Sequence, residues 1–569
     1  MLKQAKPIIT AGLRPELFAK AGAQPLSRAL LIIMLTILVL AGFGFRVKGL
    51  SAESLSEDEL NKLNAVEDYR AHGLTGANGE HPFLMKALLM VSVVAAERWN
   101  ATSLVAAHQA QLQIPVETAL RLPGAIFGAL IVLLIYFVAR ELFGLEVALL
   151  AAALWAFDPS AIGFNRIAKE DTFLLFFFLL ANIFWLRGQR IAESKPEQRP
   201  EPYYWATAAA YGAMLASKYL PFLIAISVSY NYIFQEMPTT RWVIGKRRYL
   251  IFFAVMGLVF LLCNPTILLP STWHEMFAFA SYQRIGHDSY EFMGTLYSHK
   301  MTDWLGGIPW YFYFVFIGIK LPLLTLGAFL VGLPMLIRRR LGDGRYFLFF
   351  WMLYWFLAFS FLGGKFTRYF TIVLPAVLIT AAIGIQFVSR FIARQCSALF
   401  KGGINLYIQP AFAALLIFSS AWASFSAAPY YRLYTNALGG GRGGAGNYFP
   451  QDEFYDGYMA QVLLEVGQRA RQGARLGSET PGLAAYYAQR AHRPDLRYVS
   501  LSDQTALNEL EPGDFIVAAR GRRYFSNQDL LFRLQQSTAP AFQVYLGESP
   551  AADVYILDQA SLSIITNSK

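Results

Sequence analysis

Cysteine is almost absent from this chain: 569 residues hold two, Cys263 and Cys396. Two thiols cannot build a disulfide framework or a Cys-based metal site. One falls in an apolar run and the other in a basic loop, so no pairing is expected. Charge is scarce as well. Asp, Glu, Lys and Arg make up 15% of the residues, against roughly 25% in soluble domains. A nucleotide loop is also missing. Gly439–Gly446 is Gly-rich, but no Gly-Lys-Ser/Thr accompanies it, so it reads as a flexible linker or a substrate-side loop. No internal repeat is evident, which disfavours a transporter built from inverted halves.

What the chain has in excess is apolar sequence. Hydrophobic residues reach 55% and aromatics 15%, and the mean hydropathy is +0.38. Apolar runs near 20 residues long recur along the chain, the pattern of a polytopic membrane protein. The net charge is +11, yet the basic residues gather between apolar runs. That is the signature of cytoplasmic loops rather than of a nucleic-acid surface. Spans are predicted at 28–45, 121–139, 145–162, 171–187, 203–217, 219–235, 249–269, 321–337, 346–362, 370–390 and 404–426. The basic leader, residues 1–27, precedes a run without a clear small-residue cleavage site, so an uncleaved anchor is expected.

Topology follows from parity. The leader carries Lys3, Lys6, Arg14 and Lys20, with Arg28 at the start of the first run. Three further basic clusters are Arg241 with Lys246, Arg247 and Arg248; Arg338, Arg339, Arg340 and Arg345; and Arg390, Arg394 and Lys401. All belong in the cytoplasm by the positive-inside rule. Run 203–235 must then cross twice and run 306–337 once. Run 81–99 must not cross and is read as an interfacial helix, as is the aromatic segment 308–320. The result is about eleven spans with the N-terminus inside and the C-terminus outside. Composition shifts at Ala427, where short apolar runs (Leu496–Leu501, Phe515–Ala518, Phe542–Leu546, Val554–Leu557) alternate with a helical pattern at 452–472. The fold class expected is mainly α: a membrane helix module over 28–426, with its first outer loop at 46–120, and a small extracytoplasmic α/β domain at 427–569. That tail shows no catalytic constellation of its own.

The polar motifs all fall on the predicted outer face. Glu57-Asp58-Glu59 lies just past the first run, where acids are expensive to hold and usually functional. In Glu80-His81-Pro82 through Lys86, the proline suits a helix start, and a helix N-terminus offers free N–H groups to an anion. Asn165-Arg166 through Lys169-Glu170-Asp171 ends on an acid that opens an apolar helix and serves equally as an N-cap. Lys365 and Arg368, in Gly363-Gly364-Lys365-Phe366-Thr367-Arg368-Tyr369, are cations on the side where cations are unusual. A phosphate is the natural partner for such a pair. His287, Asp288 and His299 lack the tight spacing of a metal set. A carboxylate base beside a cationic pocket suits transfer of a group from a phosphate-bearing lipid to a hydroxyl.

At these residues the chain resembles the GT-C glycosyltransferases that use polyprenyl-phosphate sugars, in particular the protein O-mannosyltransferases and their bacterial relatives, the lipid A aminoarabinose transferases. Asp58-Glu59 matches the family's Asp-Glu pair, and His81-Pro82 through Lys86 its His-Pro-Pro-Leu-x-Lys signature, with Phe83 replacing the second proline. Arg121-Leu122-Pro123 through Gly128, Asp171, Lys365 through Tyr369 and His287 through Gly294 resemble further family segments. The resemblance covers roughly residues 30–390. It implies an inverting membrane glycosyltransferase of mannose-like sugars in a bacterial inner membrane. In that reading Asp58, Glu59 and Asp171 are catalytic, and Lys365, Arg368, His81, Lys86 and Lys218 hold the donor phosphate. Arg121, Arg166, Glu80, His287 and Tyr369 support them. The partners implied are a polyprenyl-phosphate-linked sugar, an acceptor hydroxyl on protein (favoured), lipid or glycan, and membrane lipids. No cofactor is expected to be required, a divalent metal is not favoured, and no nucleic acid is expected. The rival readings are a flippase of lipid-linked sugars and a non-catalytic scaffold.

Overall fold

Long helices fill the first three quarters of the chain, in a computed structural model that describes residues 27–194, 197–229, 246–281, 287–301, 303–338, 341–399 and 405–566. The leader residues Lys3, Lys6, Arg14 and Lys20 lie outside the described residues, as do Arg241, Gly286, Arg339, Arg340 and Lys401. Six described helices are long and apolar enough to cross a membrane: Arg28–Val47, Val116–Phe143, Asp171–Ala192, Gly344–Phe361, Leu374–Cys396 and Tyr407–Ala427. Leu145–Phe157 and Pro159–Asn165 make a seventh if taken as one span, but they meet at 60°. The straight span expected at 145–162 is therefore broken. Asp158 caps the second piece by accepting the Ala161 N–H at 2.8 Å, and Pro159 cannot continue the first helix.

The other departures from eleven straight spans have similar causes. Run 203–235 breaks after Glu201–Leu215 and resumes through a 3₁₀ turn at Pro221–Leu223, and residues 230–245 lie outside the described set. Arg248–Cys263 and Leu323–Met335 are apolar but shorter. The helix Phe83–Asn100 is not among the six. Lys86, Glu97 and Arg98 give it three charges. The main core is built by Val116–Phe143, Leu145–Phe157, Asp171–Ser194, Gly344–Phe361 and Leu374–Leu399, around residues such as Trp155, Phe178, Trp351 and Val377.

Two small sheets follow. A hairpin pairs β1 (Ser289–Phe292) with β2 (Thr295–Ser298) in the loop before the helix Phe312–Lys320. The second sheet has β3 (Arg475–Gly477), β4 (Arg497–Val499), β5 (Phe515–Ala519), β6 (Phe542–Leu546) and β7 (Ser549–Ile556) in the order β4-β3-β5-β7-β6. β3 runs parallel to β4 and β5, and β7 is antiparallel to β5 and β6. The strands expected at 515–518 and 542–546 are both present. β3 is too short to show an alternating pattern.

One face of this sheet has a core of its own, with Ile516, Leu531, Leu534 and Tyr555. The other face shares its core with the first loop. Leu55, Leu60, Leu63, Val66, Met85 and Leu89 pack in one cluster with Phe454, Tyr458, Val462, Leu476, Phe515 and Val554. Gly439–Gly446 is not a free linker. Asn436 caps the 3₁₀ turn Ala437–Gly439 that leads into it, and its Nδ2 donates to the carbonyls of Gly318 and Leu321.

Candidate active site

Ser56 starts the helix Glu57–His72 with a capping box. Its hydroxyl accepts the Glu59 N–H at 3.2 Å, and its own N–H donates to Glu59 Oε2 at 3.0 Å. This turn sends Glu59 inward and leaves Asp58 at the surface of the first loop. Glu59 is fully buried. Arg121 reaches it through Nε, 2.8 Å from Oε1, and Nη2, 2.6 Å from Oε2. The remaining Arg121 donors take the carbonyls of Leu50 (2.7 Å), Glu53 (2.9 Å) and Ser54 (2.6 Å). Arg121 thus ties residues 50–59 to the helix Val116–Phe143. Gly128, on that same helix, lets the following loop approach: a Cβ there would lie 2.4 Å from the Asn165 side chain. Asn165 in turn accepts from Arg46 Nε at 2.9 Å.

Asp58 keeps 38% of its side chain exposed. Lys169 Nζ lies 2.8 Å from its Oδ2, the Tyr455 hydroxyl donates to Oδ2 at 2.9 Å, and Arg368 Nη2 stands 3.5 Å away. Burial pushes the Asp58 carboxyl up, but the Lys169 ammonium and the Arg368 guanidinium outweigh it and hold the group well below the usual carboxylate range. Arg368 lies over the Phe366 ring at 3.9 Å, and its Nη1 is 3.6 Å from Asp452 Oδ1. Asp452 Oδ2 accepts the Thr367 N–H and the Tyr290 hydroxyl, each at 2.7 Å. Beside this group, Lys218 Nζ donates to Asp171 Oδ1 at 2.6 Å and sits over the Tyr369 ring at 4.4 Å. Deeper in, Lys62 Nζ and His81 Nδ1 approach Glu170 at 2.9 and 3.3 Å. Burial pushes His81 well below its ordinary value, against the pull of the Glu170 carboxylate.

Asp58, Arg368, Lys218, Asp171 and Tyr369, read from the sequence as site residues, form one continuous polar group. Of the remaining ones, Lys365, Lys86 and Arg166 hold backbone carbonyls, and Glu80 and His287 hold other side chains. Lys365 Nζ donates to the carbonyls of Ile308, at 2.6 Å, and Leu362, and burial brings its amine down to about 8. Lys86 Nζ holds the carbonyls of Ala77 and Asn78 at 3.0 and 2.8 Å, and burial brings it to about 7. Glu80 Oε1 accepts from Asn78 in the same turn at 2.6 Å. Arg166 donates to the carbonyls of Arg46, Lys48 and Gly49, fastening the end of the first helix. His287 stacks on Tyr524 at 4.2 Å between Glu57 and Arg522. Among the described residues no three His, Cys, Asp or Glu side chains form a metal-binding group.

Several members went unread in the sequence. Lys169 and Glu170 stand inside a motif singled out there, but as flanking charges. Tyr455, Asp452, Asp456 and Arg522 come from the tail, in which no constellation was expected. Asp456 accepts the Glu57 N–H at 3.1 Å and Nε of Arg522 at 2.7 Å. Tyr455 lies 397 positions from Asp58, and no local pattern signals such a pairing.

Residues 101–268 match the profile of the family described as dolichyl-phosphate-mannose-protein mannosyltransferase. No curated protein sequence matches the chain. Among solved structures, ArnT from Cupriavidus metallidurans in the apo state is similar with a TM-score of 0.50 and 15% identity, covering 94% of this chain and 99% of that one. The oligosaccharyltransferase of Archaeoglobus fulgidus in the apo form gives a TM-score of 0.51 at 11% identity, over 87% and 70%. The archaeal oligosaccharyltransferase AglB from the same organism, in complex with an inhibitory peptide and a dolichol-phosphate, gives 0.50 at 11%, over 86% and 69%. With its apolar helices, its small C-terminal sheet and these likenesses, the chain is an integral membrane protein that shares the fold of ArnT and of the Archaeoglobus fulgidus oligosaccharyltransferase.

Proposed function

We propose that this protein transfers a sugar from a polyprenyl-phosphate donor to an acceptor hydroxyl at the outer membrane face, with inversion, using Asp58 as general base. The observation that carries the reading is a part-exposed carboxylate flanked by Lys169 and Arg368, with Lys218 and Tyr369 adjoining. The acceptor oxygen attacks the anomeric carbon while its proton passes to Asp58. The bond from that carbon to the phosphate oxygen breaks on the opposite face, and the electron pair leaves with the lipid phosphate. The phosphate gains a negative charge as it leaves, so fixed cations beside it favour the transition state over the ground state. Arg368 supplies a fork for it and Lys218 a point charge, while His81 stays with Glu170. Lys365 and Lys86 shape the loops that carry these groups. Glu59 positions the helix turn through Arg121.

The resting carboxylate is a weak base because two cations share it. A donor phosphate competes for the same cations, and each one drawn toward it returns basicity to Asp58. The membrane module is assigned to 28–426 and the extracytoplasmic region to 427–569, with the N-terminus cytoplasmic and the membrane a bacterial inner one. Protein hydroxyls are the favoured acceptors, since the matched profile is that of protein mannosyltransferases.

The test is transfer from radiolabelled polyprenyl-phosphate mannose in membranes, wild type against Asp58→Asn. General-base catalysis contributes roughly 10²–10⁴-fold, so turnover should drop by about that factor. Wild-type turnover in the variant removes Asp58 from the role, and no transfer by either protein favours a flippase or a different sugar. The labelled product identifies the acceptor as protein, lipid or glycan.

A further inference from the structure

We propose that Tyr455, from the C-terminal region, is a positioning residue for the base: its hydroxyl pins Asp58 Oδ2 so that Oδ1 is the oxygen presented to the acceptor. This rests on the function proposed above and adds to it a residue far outside the membrane helices. The closest approaches of Lys169, Tyr455 and Arg368 to Asp58 all fall on Oδ2. Among the described residues Oδ1 accepts no hydrogen bond, while the side chain keeps 38% of its surface. Both cations would also be attracted by a donor phosphate placed beside them. The phenol carries no charge, so a phosphate does not draw it away, and it remains as the fixed contact.

The backbone is committed to this placement. Tyr455 and the following Asp456 have φ of +47° and +59°, a conformation uncommon for side chains other than Gly, Asn and Asp. Two such residues in succession persist only where surroundings over-determine them. Here they do. Asp452 holds Thr367 and Tyr290, Asp456 holds the Glu57 N–H and Arg522, and the Tyr455 ring lies near the Arg432 and Arg368 guanidiniums, at 5.3 and 5.8 Å. A segment of five residues thereby fixes the start of the Asp58 helix and the loop bearing Arg368.

The experiment compares wild type, Tyr455→Phe and Asp58→Asn for transfer rate, donor KM, thermal stability in detergent and the pH profile of turnover. Tyr455→Phe keeps the ring and removes one hydrogen-bond donor. The expected result is a fall in kcat of roughly tenfold to a hundredfold, as for a misplaced catalytic group. Donor KM and stability should stay within twofold and a few degrees of wild type. The acid limb should move to higher pH, because the charged form of Asp58 loses one hydrogen bond while its other neighbours stay: Lys169 from the loop before Asp171, Arg368 and Tyr369 from the turn before Leu374, His81 from the first loop, and Lys62 and Glu57 from its own helix. Unchanged kcat overturns the proposal, and so does a fall in kcat that tracks lost stability with the acid limb unmoved. Should Tyr455→Phe fail to accumulate, Tyr455→Asn tolerates the left-handed backbone and lacks the phenol, and the same outcomes apply. A wild type that moves no sugar, or an active Asp58→Asn, defeats the functional reading itself, which separates the two failures.

Discussion

Replacing Arg121 by methionine tests whether the first loop is held by one side chain. Arg121 and Glu59 are 2% and 0% exposed. The arginine makes two contacts to the carboxylate and three to loop carbonyls. Methionine keeps much of the volume and removes every donor. Stranding a buried partner charge costs about 3–5 kcal/mol, and each lost carbonyl bond adds roughly 1 kcal/mol before water re-enters. The sum is roughly 6–8 kcal/mol. At roughly 2 °C per kcal/mol for a large chain, the apparent melting temperature in detergent should fall by about 12–16 °C. The double variant Arg121→Met with Glu59→Gln removes the stranded charge and should recover roughly half of that loss. Its recovery marks ion pairing, as opposed to volume, as the cause. The assay is thermal unfolding followed by intrinsic fluorescence, with Tyr487 and Trp155 close to the region affected. An Arg121→Met protein melting within 2 °C of wild type, or a double variant no better than the single one, refutes the reasoning.

Arg368→Lys keeps the charge but loses the fork to Asp58 and Asp452 and the contact over Phe366, so donor KM should rise about tenfold, measured by initial rates against donor concentration; an unchanged KM counts against phosphate contact. Lys365 has a folded pKa of about 8, below its unfolded value, so burying its charge destabilises the protein below pH 8 and that handicap is relieved as pH rises toward 10. Melting curves between pH 7 and 9.5 should therefore climb less in Lys365→Met than in wild type, and parallel curves would discard the effect. A chain ended after Ala427 leaves Leu55, Leu60 and Leu63 without Phe454, Val462 and Leu476. It should fail to give a monodisperse peak in detergent chromatography, and a stable, monodisperse truncation would show that the shared core is dispensable.

Much of the helical layout was legible because hydropathy acts over some twenty residues at a time, as in Arg28–Val47 or Leu374–Cys396. The break at Asp158-Pro159 was also written in the sequence, as an N-cap beside a proline, but apolar residues on both sides hid it. At the site, charges on the expected face found each other: Asp58 met Arg368, and Asp171 met Lys218. Lys365 shows the limit of that inference. Its position in a cationic motif pointed to a phosphate, whereas its side chain turns back onto two carbonyls three and 57 positions away. Tyr455 and Asp452 had no counterpart in any local pattern, since contacts across 397 and 85 positions are set by tertiary packing.

The core shared between the first loop and the C-terminal sheet also orders events in time. Tyr455 is synthesised 397 residues after Asp58, which at 5–20 residues per second is a delay of roughly 20 to 80 seconds. Throughout that interval the apolar side of the helix Glu57–His72 has been made and the part of its cover that comes from Phe454, Tyr458 and Val462 has not. A nascent chain therefore holds an unfinished surface through most of its own synthesis, and holdases that shelter such surfaces have their opportunity then. A chain that ends before Tyr455 lacks the partners that Asp58, Glu57 and Leu55 take from the last tenths of the polypeptide.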